Sequence, residues 1–212
     1  MLHLFSRHLF SLISSGNLNM RQSVCIFCAS SFRIPEQYGQ VAKELGRLCA
    51  EKGITVVNGA GNTGLMGLCS DACLQHGGQV VGVIPQFMID RGWGHRGLTR
   101  LVITDDMAIR RQRMRELSEG IIALPGGCGT LEELFETVTL KQMGLYTHPI
   151  VLLNTDGYYD GLIAWWNRAL KEQFMLPAHA ELWSVARTPQ EALDLFQAIP
   201  ERELPKETLK ER

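Results

Sequence analysis

The sequence predicts a single doubly wound α/β domain built on a mostly parallel sheet of about seven strands. Short runs of almost wholly apolar residues recur along the chain, as expected for strands that are buried on both faces of a sheet. Segments with the apolar spacing of amphipathic helices separate most of these runs. Strands that alternate with helices in this way are typical of a parallel sheet covered by helices on both faces.

The predicted elements follow one another from residue 24 onward. The strands are expected at 24–28, 54–58, 79–84, 100–104, 120–124, 149–153 and 182–185. The helices are expected at 36–52, 64–76, 106–118, 130–143, 157–173 and 189–198. Residues 1–19 contain no acidic residue and are interpreted as a mobile N-terminal extension. The domain then occupies 20–200, and the charged residues 201–212 form a tail.

Composition narrows the classes of function. The net charge of −1 over 212 residues gives no basic surface of the kind that nucleic-acid-binding proteins use. No apolar run reaches the roughly 20 residues that a membrane span needs. Cys25 and Cys28 form a C-x-x-C pair, but a strand directs positions i and i+3 to opposite faces, so the pair cannot hold one metal ion. The six cysteines are therefore interpreted as buried thiols in a reducing cytoplasm.

A glycine-rich turn at 125–130 is the most informative segment of the chain. It reads Pro-Gly-Gly-Cys-Gly-Thr and lies between the apolar run 120–124 and an amphipathic helix. Such a turn leaves backbone N–H groups free at the positive end of the helix dipole, where they can bind a phosphate. No Lys-Ser/Thr pair follows the last glycine, so the turn is not a Walker P-loop. The expected ligand groups are Gly126, Gly127, Cys128, Gly129 and Thr130, with Glu132 close by.

Two further turns are expected at the same edge of the sheet. Ser30 follows the first strand and offers a hydroxyl group and backbone donors. The segment 59–64 matches G-x-G-x-x-G, but no carboxylate follows the next strand, as a dinucleotide site would require. We therefore expect a tight turn that presents the Gly61 backbone to a substrate, and we expect no cofactor.

Glu133 has two interpretations. Thr130 and Glu133 have the spacing of a capping box, which would satisfy free N–H groups at a helix start. A helical wheel instead places Glu133 opposite the apolar stripe of its helix, facing solvent, a ligand or a second subunit. On the preceding helix, Arg110 and Arg111 fall on the packed side and are expected to bind an anion. Arg113 and Arg115 are expected to be solvated, and Lys141 to be a surface partner of Thr137 and Glu133.

The segment 125–133 resembles the PGGxGTxxE signature of the Lonely Guy family of cytokinin riboside 5′-monophosphate phosphoribohydrolases, often labelled lysine decarboxylase-like. The resemblance implies a Rossmann-like homodimer, with its site near the dimer interface, that releases a free base and ribose 5-phosphate from a nucleoside monophosphate. It implies Arg110 and Glu133 as catalytic residues. The substrate-binding residues that follow from the turns and the resemblance are Ser30, Gly61, Arg111, Gly126, Gly127, Cys128, Gly129, Thr130, Glu132 and Thr139.

This chain departs from the family pattern at two places. The family usually has Met-His-x-Arg-Lys where this chain ends the segment in Arg110 and Arg111. The loop 90–96 lacks the glutamate that the pattern has just after Arg91. The preferred substrate, a cytokinin-type nucleotide or AMP, therefore stays open.

Glycosidic cleavage passes through an oxocarbenium-like sugar, so Glu133 is expected either to stabilise that charge or to act as general base. The alternative is a non-catalytic nucleotide or cofactor carrier, since the same turn and fold also suit binding alone. A pyridoxal-dependent decarboxylase is disfavoured, because none of the six lysines occupies a recognisable cofactor motif.

Overall fold

The structure, a computed structural model, describes residues 20–202, so the expected N-terminal extension and most of the expected tail lie outside the described residues. A seven-stranded sheet with the order β4-β3-β2-β1-β5-β6-β7 forms the centre of the fold, and every strand pair is parallel. The strands are β1 Ser23–Phe27, β2 Thr55–Asn58, β3 Val80–Pro85, β4 Arg100–Thr104, β5 Ile121–Ala123, β6 Ile150–Leu153 and β7 Ser184–Ala186. The predicted fold class is confirmed.

Between residues 20 and 202, six helices connect consecutive strands across the two faces of the sheet, and a seventh follows the last strand. They are α1 Glu36–Glu51, α2 Gly64–Gln75, α3 Gln86–Asp90, α4 Met107–Glu116, α5 Cys128–Gln142, α6 Asp160–Lys171 and α7 Pro189–Ala198. Short 3₁₀ turns lie at Thr155–Gly157 and Pro177–Glu181. The six helices expected from the sequence are all present, and α3 is the additional one. None of the helices between residues 20 and 202 is long and apolar enough to cross a bilayer.

Side chains of the central strands alternate between two hydrophobic clusters. Val24 and Ile26 pack with α1, α2 and α7, whereas Cys25 and Phe27 pack with α4, α5 and α6. The same alternation separates Cys25 from Cys28, which lies in the first cluster. The prediction that this C-x-x-C pair is split between the two faces is therefore confirmed.

The sheet reverses its strand order at β1, which pairs with β2 on one side and with β5 on the other. The connections after β1 and β5 therefore leave in opposite directions, and a crevice opens between them at the carboxyl ends of the strands. This topological switch point is the usual place for a ligand in an open α/β sheet.

Candidate active site

A cleft of about 650 Å³ opens at the switch point. Loops that follow β1, β2 and β5 form its walls, together with residues from α3, α4 and the segment between α3 and β4. The lining residues are Cys28, Ala29, Ser30, Ser31, Phe32, Gly59, Gly61, Asn62, Thr63, Met66, Ile84, Met88, Trp93, Met107, Arg110, Gly127, Gly129, Thr130, Glu132 and Glu133. Eight of the twelve predicted site residues line this cleft: Ser30, Gly61, Arg110, Gly127, Gly129, Thr130, Glu132 and Glu133.

Helix α5 begins at the cleft, with Gly127 as its N-cap in an extended conformation. The first turn of a helix has no intrahelical partners for its amides, so these N–H groups are available to a ligand at the positive end of the dipole. A Cβ at Gly127 or Gly129 would meet no atom within 4 Å, so this side of the turn is open. A Cβ at Gly126 would lie 2.0 Å from Oγ1 of Thr130, so the turn requires glycine there.

The capping-box interpretation of Glu133 is wrong. Helix α5 starts at Cys128, and no side chain caps its first amides. Thr130 and Glu133 therefore both lie inside the helix, and neither occupies the position of an N-cap. The Glu133 carboxylate is free of that structural role.

Two tyrosines hold the glycine turn in place by hydrogen bonds to its backbone and to the residue before it. The hydroxyl of Tyr158 donates to the carbonyl oxygen of Gly126 at 2.8 Å, and the hydroxyl of Tyr159 donates to the carbonyl oxygen of Leu124. The amide of Ala29 donates to the carbonyl oxygen of Pro125 at 3.2 Å. These bonds satisfy carbonyl groups behind the turn and leave the amides in front of it for a ligand.

Arg110 and Glu133 form an ion pair inside the cleft. Nη1 of Arg110 lies 2.9 Å from Oε1 of Glu133, and the two residues are only 4% and 5% exposed. Nε of Arg110 also donates to the carbonyl oxygen of Val83 at 3.1 Å. A Cβ at Gly59 would lie 1.5 Å from Nη2 of Arg110, so the second glycine turn is shaped around the guanidinium.

The position of Glu133 decides among the environments expected for it. The carboxylate does not face solvent, since Arg110 and the cleft wall bury it. It lines the cleft, which is the position expected for a side chain that faces a ligand. Burial raises the pKa of the Glu133 carboxyl, although the Arg110 charge opposes that rise.

Arg111 does not line the cleft. Its Nη1 lies 2.9 Å from Oε1 of Glu132, and its Nε lies 2.7 Å from Oε2 of Glu136. Arg115 was expected to be solvated, but it is largely buried and pairs with the same Glu136 oxygen at 2.8 Å. That expectation is wrong because α5 places a carboxylate opposite Arg115, whereas Arg113 is exposed as predicted.

The second glycine turn is a wall of the cleft and not an anion site. The amides of Leu65 and Met66 in the first turn of α2 both donate to the carbonyl oxygen of Ala29. That helix start is therefore occupied by the chain itself, unlike the start of α5. The buried side chain of Asn58 holds the turn by accepting from the amide of Ala60 and donating to the hydroxyl of Ser70.

Four predicted site residues lie outside the lining of the cleft. They are Arg111, which pairs with two carboxylates, the buried Gly126 of the glycine turn, and the exposed residues Cys128 and Thr139.

Lys141 was expected at the surface near Glu133 but is buried, and its Nζ donates to the carbonyl oxygens of Thr147 and His148. Burial lowers the pKa of Lys141 from 10.5 to about 8.

No pattern in the sequence predicted the apolar part of the cleft. Phe32, Met66, Ile84, Met88, Trp93 and Met107 line it, and they come from six different segments of the chain. Among them, Trp93 could have been predicted as a site residue, since it lies in the loop where this chain departs from the family pattern.

The chain is similar to known proteins along most of its length. The model of a family described as possible lysine decarboxylase matches residues 66–196. A probable cytokinin riboside 5′-monophosphate phosphoribohydrolase of Oryza sativa subsp. japonica is 38% identical over 179 residues, covering 84% of this chain and 72% of that protein. A cytokinin riboside 5′-monophosphate phosphoribohydrolase of Rhodococcoides fascians is 42% identical over 158 residues, covering 74% of this chain and 80% of that protein.

Solved structures share the fold at lower identity. The molybdenum cofactor carrier protein of Chlamydomonas reinhardtii superposes with a TM-score of 0.64 and 19% identity, covering 90% of this chain and 99% of that one. The molybdenum cofactor binding protein of Rippkaea orientalis gives a TM-score of 0.63 and 19% identity, covering 82% of this chain and 94% of that one. At this identity the likeness concerns the fold alone.

Proposed function

Because the chain belongs to the cytokinin riboside 5′-monophosphate phosphoribohydrolase family, we propose that it hydrolyses the N-glycosidic bond of a purine riboside 5′-monophosphate. The products are the free base and ribose 5-phosphate. The observation that carries the proposal is the buried Arg110–Glu133 pair, which lines the same cleft as the free amides of α5. The relatives' names favour this hydrolase over the carrier alternative.

In the proposed mechanism, the amides at Gly127, Gly129 and Thr130 bind the 5′-phosphate at the start of α5. Glu133 then lies beside C1′ of the ribose, where positive charge develops as the bond to the base breaks. Its carboxylate stabilises that charge or takes a proton from the attacking water. Arg110 fixes the carboxylate and binds neighbouring sugar oxygens, which positions the ribose for reaction.

The experiment is a Glu133→Gln variant assayed with AMP and with N6-isopentenyl-AMP for release of free base. Glutamine retains the shape of the side chain and an oxygen for Arg110, so folding should be preserved. Turnover should fall by a factor on the order of 100 or more, because the group that stabilises the transition state has lost its charge. The matched control is Glu116→Gln, which makes the same change at an exposed position of α4.

Retained turnover in Glu133→Gln would contradict the catalytic role. The two nucleotides also resolve the substrate class. Release of base from N6-isopentenyl-AMP alone supports a cytokinin-type substrate, and release from both supports a general purine nucleotide hydrolase. If the wild-type protein binds these nucleotides tightly and releases no base from either, the carrier alternative replaces the hydrolase.

We also propose a cytoplasmic homodimer. The cysteines at positions 25, 28, 49, 69, 73 and 128 are free, which suits a reducing compartment and can be tested by fractionating cells. Support for a dimer comes from two exposed isoleucines, Ile103 of β4 and Ile109 of α4, which line one shallow depression. Ile109 immediately precedes Arg110, so a partner on this face would lie next to the cleft.

A further inference from the structure

The cleft has two chemically different ends. The free amides of α5, which follows β5, form one end, where the proposed function puts the phosphate and C1′ of the ribose. Ile84, Met88 and Trp93 lie on β3 or follow it, and β2 and β1 separate β3 from β5 in the sheet, so these apolar side chains form the other end. A nucleotide with its phosphate on α5 and its C1′ at Glu133 has only its base left to occupy the apolar end.

Hydrogen bonds fix the loop that carries Trp93. The amide of Asn62 donates to the carbonyl oxygen of Trp93 at 3.2 Å, and Nδ2 of Asn62 donates to the carbonyl oxygen of Gly92 at 3.2 Å. The amide of His95 donates to the carbonyl oxygen of Ala60 at 2.8 Å. The loop is thus attached to the second glycine turn, and the two form one wall of the cleft.

The Trp93 ring is also held through its π system. The guanidinium carbon of Arg91 lies 5.1 Å from the centre of the Trp93 ring and 5.3 Å from that of Phe87. Neither Arg91 nor Phe87 lines the cleft, so both act from outside it. Trp93 nevertheless remains 47% exposed, which is a large apolar surface to leave uncovered beside a cleft.

We propose that Trp93 is a base-binding residue that stacks on the purine base of the substrate. The proposal rests on the proposed function for the direction in which the nucleotide lies. A base offers a flat π-face to an aromatic side chain, and stacking of this kind contributes strongly to nucleotide affinity whatever the base. Because the ring is fixed before binding, little side-chain freedom is lost when the base arrives.

The test compares two ligands that differ only in the base. AMP reaches both ends of the cleft, whereas ribose 5-phosphate reaches the polar end alone. Their affinities are measured by titration calorimetry on the Glu133→Gln protein, which does not consume AMP. Adding Trp93→Ala should weaken AMP binding by about fivefold or more and leave ribose 5-phosphate binding unchanged. Trp93→Phe should retain most of the AMP affinity, since it keeps an aromatic face.

The matched control is Trp165→Ala. Trp165 is a similarly exposed tryptophan at 52%, but it makes an edge-to-face contact with Phe135 and lies outside the cleft. This change should leave both affinities unchanged.

Unchanged AMP affinity in Trp93→Ala would overturn the proposal, and so would an equal loss for both ligands. The readout is binding and not turnover, so it separates this inference from the proposed function. A protein that releases no base but loses AMP affinity in Trp93→Ala still stacks the base on Trp93.

Discussion

Burial and the neighbouring Arg110 shift the pKa of Glu133 in opposite directions. Loss of water around the buried carboxylate raises its pKa, and the Arg110 guanidinium at 2.9 Å lowers it. Burial is the larger effect, so the pKa lies above the 4.5 of an ordinary glutamate. A carboxylate with a raised pKa is a stronger base, which suits a group that takes a proton from water near neutral pH.

The raised pKa predicts how activity and stability respond to acid. Glu133 must be ionised to act, so kcat should fall as pH falls through its pKa, at milder acidity than for an exposed glutamate. The sign for stability is the reverse. Because the folded pKa exceeds the unfolded value, the contribution of this group to the free energy of unfolding decreases as pH rises through the folded pKa.

The check is a carbon-13 NMR titration of the glutamate carboxyl groups. The signal that is missing from Glu133→Gln should titrate with a midpoint above 4.5. This assignment separates the protein group from the substrate phosphate, which itself titrates near pH ~6. A midpoint at or below the ordinary value would show that the Arg110 charge outweighs burial.

Helices α4 and α5 supply the proposed catalytic pair, and a second set of charges joins the same two helices. Glu136 of α5 accepts from Nε of Arg111 and from Nη1 of Arg115 on α4, at 2.7 and 2.8 Å. Arg111 is one residue from Arg110, and Glu136 is one helical turn from Glu133. We therefore propose that Glu136 is a positioning residue, which holds the spacing of the helices that carry Arg110 and Glu133.

Glu136→Ala should separate positioning from binding. Without the link between α4 and α5, kcat should fall by about tenfold or more, since small displacements of reacting groups are costly. KM should change little, because Glu136 does not line the cleft. The matched control is Glu116→Ala, which breaks an ion pair within α4 alone and should leave both constants unchanged.

Glu136→Gln should restore part of kcat, since its amide oxygen can still accept both hydrogen bonds, although without the charge of the carboxylate. A purely structural role predicts a different pattern, in which thermal stability falls and kcat per folded molecule stays constant. That pattern, or a change in KM alone, would contradict a positioning role.

The limits of prediction at the scale of elements have a physical origin. The predicted strands lie within a few residues of the observed ones, because burial on both faces produces unbroken apolar runs. Helix α3 was not predicted, since its five residues are too few to display a helical period. The start of α5 was predicted two residues late. The apolar period of a helix shows only where its packed residues begin, and the N-cap Gly127 has no side chain that would indicate an earlier start.

At the scale of the whole molecule, the sequence predicted the polar end of the site and not the apolar end. The glycine turn, Arg110 and Glu133 lie on consecutive elements with recognisable spacing. Met88 and Trp93 follow β3 in the chain, and they reach the cleft only because β3 lies beside β2 in the folded sheet. Glu133 is likewise buried by packing between α4 and α5. Local sequence patterns do not predict contacts of this kind, because they depend on how the elements are arranged in the fold.

Assembly of the chain is the remaining property of the whole molecule. We expect light scattering to give a mass of about twice the 23.7 kDa of one chain. Ile103 and Ile109 are the exposed side chains that we place in the interface, because covering them would bring a second chain beside Arg110. A double Ile103→Lys and Ile109→Lys variant should therefore reduce the mass to that of one chain, since unpaired buried charges are costly. Phe174→Lys, at another highly exposed apolar position, is the control and should remain dimeric. A wild-type mass of one chain would contradict the dimer, and an unchanged mass in the double variant would place the interface elsewhere.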